Sequence, residues 1–180
     1  GLAGGKIAKV DRVEWRNIPE QQTAINALIA GEIDLIEQPR HDLLPALAKS
    51  KDVKIFDQNP LGNQYALRFN VQHKPFDNPK VRAALYEALN QEDFLQAVIG
   101  DSKYYKVCKA MFICGSPLAS EEGMKDKLES NVNKAKEMLK EAGYDGTPVV
   151  LLHSTDLQVL TNLAPVAKSL MEKAGFKVDM

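Results

Sequence analysis

The chain has 180 residues, of which 44% are hydrophobic and 26% are charged, a composition typical of a globular protein with a sizeable core. Its formal net charge is -1 and the charges are interspersed, so it lacks the basic stripe of a typical nucleic-acid-binding domain. The longest apolar runs fall far short of the roughly 20 residues that a membrane-spanning helix needs. The chain begins without Met and ends in a strand-like segment, which favours a piece of a longer protein.

The first forty residues predict a β-α-β unit. Residues 10–18 alternate apolar and charged side chains, as a half-buried strand does. A helix is predicted to begin at Pro19, whose missing N–H costs nothing in a first turn, and to end at Gly31. Residues 32–39 predict the second strand.

The next segment predicts a short helix and an antiparallel pair of strands. The helix covers residues 42–49, where leucines recur at helical spacing. The two strands cover residues 53–56 and 64–70. Residues 59–63 between them have the composition of a turn.

Two helices and a long irregular segment are predicted to follow. The first helix begins at Pro79, where Asp77 or Asn78 can cap the free N–H groups. The second covers residues 92–99. Residues 101–130 show no sustained hydrophobic periodicity and predict a long irregular segment, which we call the excursion. In a compact domain such a segment is either functional or packed against other segments.

The last fifty residues repeat a helix followed by a strand. Helices are predicted at 133–142 and 162–174, and each ends at a Gly that can adopt the left-handed conformation. Strands are predicted at 149–152 and from Val178. This α-β-α-β order predicts an α/β fold with a right-handed crossover.

The tetrapeptide His153-Ser154-Thr155-Asp156 follows a predicted strand and could be read as part of a hydrolase site. The groups of a Ser-His-Asp relay usually converge from separate segments, and the chain has no Gly-x-Ser-x-Gly turn. Ligands of α/β sheets gather beyond the carboxyl ends of strands. The loop is therefore predicted to bind a ligand, with hydrolysis as an alternative.

The histidine and cysteine spacings match no metal site. His41, His73 and His153 are far apart, and no metal ion or other cofactor is predicted. Cys108 and Cys114 lack two further ligands at zinc-site spacing. The two cysteines are either small buried apolar residues or a local disulfide, and the residues by themselves leave both open.

Three stretches together resemble the extracellular solute-binding proteins of family 5, which serve peptide, nickel and related ABC transporters. "LRFNVQHKPFDNPKVRAALYEALNQEDFLQAVIGD" is similar to the family's pattern of Phe-Asn, Pro-Phe-Asp and Val-Arg-x-Ala-Leu. "KVDRVEWRNIPEQQTAINALIAGEIDLIEQP" resembles its β-α-β unit, and "NVNKAKEMLKEAGYDG" resembles one of its helices. The resemblance covers almost the whole chain.

This resemblance implies a fold and a function. The fold is one lobe of a type II periplasmic-binding-protein-like clamp, an α/β lobe with a mixed sheet and flanking helices. Residues 1–180 are then a single domain, most of one ligand-binding lobe, with 101–130 as its excursion. The implied protein is an exported, periplasmic or cell-surface monomer without catalytic activity. It binds a peptide or small solute between its lobes and delivers it to the permease subunits of an ABC importer. A metal-complex or haem receptor on the same scaffold is a further alternative.

The resemblance also implies which loops line the cleft. The expected ligand-binding residues are Gln38, Arg40, His41, Gly62, Asn63, Gln64, His153, Ser154, Thr155 and Asp156. In dipeptide-binding relatives, the loop that corresponds to residues 153–158 supplies an Arg for the ligand carboxylate. Here residues 153–158 contain no Arg, which weakens a dipeptide assignment. Residues 70–79 are expected to be structural. Because members of this family are exported into an oxidising compartment, a disulfide between Cys108 and Cys114 is expected.

Overall fold

The computed structural model describes residues 4–180, which form helices, irregular segments and a two-stranded sheet. The helices are α1 (Gln21–Ile29), α2 (Leu44–Leu47), α3 (Pro79–Ala88), α4 (Gln91–Val98), α5 (Val132–Glu141), α6 (Gln158–Thr161) and α7 (Leu163–Lys173), and the strands are β1 (Val149–Val150) and β2 (Val178–Asp179). Short 3-10 turns cover His41–Leu43 and Ser102–Tyr104. Across the described residues, no helix combines the length and the apolar character required to cross a membrane.

The described residues divide into two compact units. The first unit contains residues 4–39 and Leu43–Ile55, and the second contains Arg40–Asp42 and Phe56–Met180. The prediction that residues 1–180 form a single domain stays a prediction.

The first unit is built around the apolar face of α1. Glu20 caps this helix, because its carboxylate accepts hydrogen bonds from the backbone N–H groups of Gln22 and Thr23. Ile25 of α1 is fully buried and clusters with Leu44 and Leu47 of α2. The predicted helix is therefore confirmed, but it begins at Gln21 after a glutamate cap, so the predicted place of Pro19 in its first turn is wrong.

The strands predicted on either side of α1 are wrong. Residues 10–18 and 32–39 have no ladder pairing, and Val13 and Trp15 remain 65% and 89% exposed. Alternation indicates which side chains share a face, whereas a strand also needs a neighbouring backbone to supply N–H and C=O partners. The described residues provide no such neighbour here.

The antiparallel pair predicted at residues 53–56 and 64–70 is wrong for the same reason. Neither segment is paired as a strand. Phe69 packs on the core of the second unit through its ring, which lies 4.8 Å from that of Phe76. The apolar alternation of residues 64–70 therefore reflects the packing of Phe69 on the core, and no hydrogen-bonded ladder forms there.

The core of the second unit lies between α3, α5, α7 and the sheet. Strands β1 and β2 pair in parallel, with Val149 opposite Val178. The buried residues of this core are Val81, Ala84, Leu85, Ala88, Leu89, Ala135, Leu139, Val149, Leu151, Ala164, Ala167, Leu170, Met171, Ala174 and Phe176. The helical members recur at spacings of three or four residues, and α5, β1, α7 and β2 follow one another in the predicted order, so the α-β-α-β prediction is confirmed in its element order.

Local capping chemistry defines the ends of these helices as predicted. The side chain of Asn78 accepts from the N–H of Lys80 at 2.9 Å and donates to the carbonyl of Ala142 at 3.1 Å. It thereby caps α3 and joins that helix to the end of α5. Gly143 and Gly175 adopt positive φ angles of 68° and 97° just beyond α5 and α7, as helix-terminating glycines do.

Residues 126–131, which we call the strap, form the end of the excursion and lead into α5. Asp126, Leu128 and Ser130 have φ angles of 58°, 60° and 58°, a left-handed conformation that is costly for residues with a Cβ. Backbone hydrogen bonds hold the strap to the α3 region, from Leu128 to Tyr86, from Ser130 to Leu89 and from Asn131 to Glu87 at 3.2, 3.0 and 2.7 Å.

A buried ion cluster fastens the strap further. Glu87 of α3 is 1% exposed and is ion-paired with Lys127 of the strap and, at 3.0 Å, with Lys134 of α5. Burial alone would raise the pKa of Glu87, but the hydrogen bonds and positive charges of the two lysines outweigh it and hold this pKa below its ordinary value. Glu87 is therefore a paired carboxylate that links three segments.

Candidate ligand-binding loops

The loop containing Gly62, Asn63 and Gln64 is a self-fastened turn. The Asn59 amide donates to the Gly62 carbonyl at 2.8 Å and to the Asn63 side chain at 3.1 Å. Gly62 has a φ of 81°, which is a conformation that glycine adopts readily. Gln64 donates from Nε2 to the carbonyl of Ala110 at 3.3 Å, so the end of the turn is tied to the excursion.

The residues predicted after residue 37 divide between the two units. Gln38 belongs to the first unit and is exposed, whereas Arg40 and His41 belong to the second. The guanidinium of Arg40 donates to both carboxylate oxygens of Asp42, at 2.9 and 2.5 Å. This two-bond pairing occupies the Nε/Nη2 edge of the guanidinium, one of the two edges that Arg could offer to a ligand carboxylate, and its charge is paired with Asp42.

His41 lies against an aromatic residue that sequence reasoning missed. Its ring centroid is 5.4 Å from that of Tyr104, and Lys103 Nζ lies 5.3 Å from the centroid of the same tyrosine ring. Tyr104 is 40% exposed, so the group is accessible. The sequence signal that could have indicated this residue is the run of lysines and tyrosines at residues 103–106.

The neighbouring Tyr105 is turned to a structural partner. Its hydroxyl donates to the Glu92 carboxylate at 2.5 Å. This hydrogen bond to Glu92 raises the pKa of Tyr105 above its ordinary value, because ionisation of the phenol would break the bond beside a negative charge. Of the two adjacent tyrosines, Tyr104 is therefore the candidate for ligand contact.

The third loop has the hydrogen bonds of a turn and lacks those of a catalytic relay. His153 donates from Nε2 to the carbonyl of Thr161 at 2.9 Å. Ser154 donates from Oγ to Asp156 at 3.1 Å and accepts from the N–H of Leu157 at 3.4 Å. Ser154 is thus hydrogen-bonded to Asp156 and Leu157, and His153 to Thr161, so these bonds do not join His153 to Ser154 as a relay requires.

Among the described residues, no hydrogen bond, ion pair or ring contact joins any two of the predicted loops at residues 40–41, 62–64 and 153–156. Two of these loops instead contact the excursion: His41 contacts Tyr104, and Gln64 donates a hydrogen bond to Ala110. An open depression of about 470 Å³ is lined by Asp126 and residues 129–133, and by none of the predicted loop residues. The assignment of the ten loop residues to a ligand site stays a prediction.

The expected disulfide is confirmed. Cys108 and Cys114 are bonded, with their Cα atoms 5.8 Å apart. Gln91, at the first turn of α4, accepts from the N–H of Cys108 and donates to its carbonyl, both at 2.8 Å. The disulfide loop is thus anchored to a helix at one of its two cysteines.

Relatives with known names define the class of this fold. The structure of the substrate-binding protein CtaP from Listeria monocytogenes superposes with a TM-score of 0.72 at 21% identity, over 91% of this chain and 33% of CtaP. The oligopeptide-binding protein AppA from Bacillus subtilis, solved with a nonapeptide, gives 0.63 at 27% identity over 90% of this chain and 34% of AppA. The fold is accordingly that of one lobe of a type II periplasmic binding protein.

Sequence comparison then identifies the family. The model of the bacterial extracellular solute-binding proteins, family 5 (middle region), matches residues 3–180, and the chain belongs to this family. The probable peptide ABC transporter periplasmic-binding protein y4tO of Sinorhizobium fredii is 34% identical over 100% of this chain and 34% of its own length. The glutathione-binding protein GsiB of Salmonella typhimurium is 30% identical over 86% of this chain and 30% of its own length.

The chain spans about a third of the length of these relatives. Their names describe binding proteins, and none of these names supports the hydrolase alternative or the metal-complex and haem alternative.

Proposed function

We propose that this chain is most of one lobe of a longer, exported receptor that binds a peptide or related small solute and delivers it to the permease of an ABC importer. The observation that carries the proposal is the family match along residues 3–180. The receptor works as a periplasmic or cell-surface monomer, and it performs no chemistry on its ligand. Closure of two lobes around the solute supplies the burial that a single lobe cannot.

The polar loops suit recognition of a peptide. The turn at residues 62–64 and the loop at residues 153–156 present amide, hydroxyl and imidazole groups on exposed or half-exposed positions. Such groups complement the N–H and C=O groups of a peptide backbone without demanding a particular side chain. Tyr104 and His41 add an accessible aromatic surface to the same lobe.

The direct test is native mass spectrometry of the gently purified parent protein, followed by denaturation to release what is bound. We expect a set of peptide masses, one peptide per protein, and no cleavage when those peptides are incubated with excess protein. A single non-peptide mass would replace the peptide with that solute. Peptide turnover that disappears in Ser154→Ala would establish the hydrolase alternative instead.

Recognition of the ligand's carboxyl terminus by this lobe is expected to be weak. Residues 153–158 contain no Arg, and Arg40 is already paired with Asp42. A peptide released in the first experiment and its C-terminally amidated form should therefore bind the parent protein within about threefold of each other, since a lost charged hydrogen bond would cost at least about tenfold. Isothermal titration calorimetry measures both affinities.

Variants at Asp42 and Arg40 test whether this lobe, and not the rest of the receptor, recognises the ligand carboxylate. Asp42→Asn frees the Arg40 guanidinium and should increase the preference for the free acid over the amide. A preference of more than about tenfold in the wild-type protein that Arg40→Ala abolishes would contradict the expectation.

A further inference from the structure

The disulfide loop places a third potential metal ligand beside its two sulfur atoms. Cys114 Sγ lies 3.7 Å from Oε1 of Glu121. The ligand atoms of Cys108, Cys114 and Glu121 all lie within 4.8 Å of one another. Spacing along the chain did not reveal this cluster, because Glu121 is a carboxylate outside any cysteine-histidine pattern and is brought in by the fold.

Two of the three corners of the cluster, Cys108 and Glu121, are held by contacts that do not involve the disulfide bond. The side chain of Gln91 fixes the backbone of Cys108 through two hydrogen bonds of 2.8 Å. The Glu121 carboxylate accepts from the N–H of Lys109 at 3.1 Å, and the Lys109 side chain is ion-paired with Glu129. Breaking the sulfur–sulfur bond leaves these contacts in place, so Cys108 and Glu121 stay close together in the dithiol form, and Cys114 is only six residues from Cys108 along the chain.

We propose that reduction of this disulfide creates a binding site for a thiophilic divalent cation such as Zn²⁺, with Cys108, Cys114 and Glu121 as ligands. A dithiol reductant transfers two electrons and two protons to the disulfide and itself becomes a disulfide. The cation then displaces the two thiol protons to solvent and binds two thiolates and one carboxylate oxygen. A water molecule completes the tetrahedral set that zinc prefers.

The backbone geometry fits this coordination. Two thiolates on one Zn²⁺ stand about 3.8 Å apart, given Zn–S bonds of about 2.3 Å at a tetrahedral angle. Cysteines whose Cα atoms are 5.8 Å apart reach that separation by side-chain rotation alone. Glu121 is exposed and the two cysteines are half-buried, so the ion has an entry path and room for its water ligand.

The test titrates Co²⁺ and Zn²⁺ into the parent protein before and after reduction with a dithiol that is then removed under anaerobic conditions. We expect the reduced protein to bind one Co²⁺ with a thiolate-to-cobalt charge-transfer absorption and a tetrahedral visible spectrum, and Zn²⁺ to displace it. The oxidised protein should show neither band. Glu121→Gln should weaken Zn²⁺ binding at least about tenfold, as loss of a group that holds a metal does.

Glu122→Gln is the matched control, since Glu122 is exposed next to Glu121 and lies outside the cluster. It should bind Zn²⁺ like the wild-type protein. Reduced protein blocked with iodoacetamide should lose the cobalt spectrum while keeping its far-ultraviolet circular dichroism. Equal metal binding by the oxidised and reduced forms, equal binding by Glu121→Gln, or unfolding on reduction would overturn the proposal. Peptide binding by the oxidised protein tests the receptor function separately.

Discussion

Leu85→Ala is expected to lower the free energy of unfolding of the second unit by about 3 kcal/mol, within the usual range of about 2–5 kcal/mol for such truncations. Leu85 is fully buried on α3, in the core formed with α5, α7 and the sheet. Removing its side chain loses the burial of three carbons and leaves a cavity that rigid neighbours fill only in part. Urea unfolding followed by far-ultraviolet circular dichroism measures the change.

A second leucine provides the control for this substitution. Leu152, just beyond β1, is 90% exposed, so Leu152→Ala should change the free energy of unfolding by less than about 0.5 kcal/mol. Equal effects of the two substitutions would contradict the assignment of the core. A decrease for Leu85→Ala well below about 2 kcal/mol would mean that the site collapses around the smaller side chain.

Removing both cations from Glu87 is expected to destabilise the strap and the helices it joins. Lys127→Met combined with Lys134→Met keeps the side-chain stems but leaves a carboxylate that is 1% exposed without a counter-charge. Isolating a buried charge in this way costs about 3–5 kcal/mol at neutral pH. The measurement is the urea midpoint compared with the wild-type protein at pH 7.

The pH dependence distinguishes a charge effect from a packing effect. The pKa of Glu87 is held below its ordinary value, so its stabilising contribution is present above the unfolded-state pKa and is lost as the pH falls through the folded-state pKa. The difference between the wild-type protein and the double variant should therefore be larger at pH 7 than at pH 4. A difference that is constant with pH would indicate lost packing alone.

A charge-matched double variant completes this experiment. Lys125 and Lys136 are exposed lysines, each two residues along the chain from one of the two paired lysines, Lys127 and Lys134. Lys125→Met combined with Lys136→Met makes the same change in net charge. It should shift the urea midpoint little, because exposed charges of this kind contribute at most about 1 kcal/mol each.

Much of the helical structure could be predicted from local chemistry. The cap at Asn78, the proline at position 79 and the glycines at 143 and 175 act on backbone groups within one turn of themselves. The apolar stripes of α3, α5 and α7 were readable for the same reason, since helical neighbours are three or four residues apart. The strands were predicted less well, because a strand forms only with a partner that can lie far away in the chain.

The candidate loops likewise combine local features that could be predicted from the sequence with contacts that could not. The turn at residues 59–63 was predicted from its composition, and the structure contains it with Asn59 as its fastening residue. The pairing of Arg40 with Asp42 was missed although the two residues are nearly adjacent, because sequence does not state whether a side chain turns to a neighbour or to solvent. The contact of His41 with Tyr104 was missed because it joins residues far apart in the chain.

The sequence by itself determined the family, the approximate positions of the helices other than α6, and the order of helix and strand in the last fifty residues. Only the tertiary structure decided which strands pair, that Glu87 is buried with two lysines, and that Glu121 lies beside the disulfide. The physical reason is the range of the interactions. Caps and helical stripes act over about four residues, whereas the bond between Lys127 and Glu87 spans 40 positions and exists only after the chain has folded.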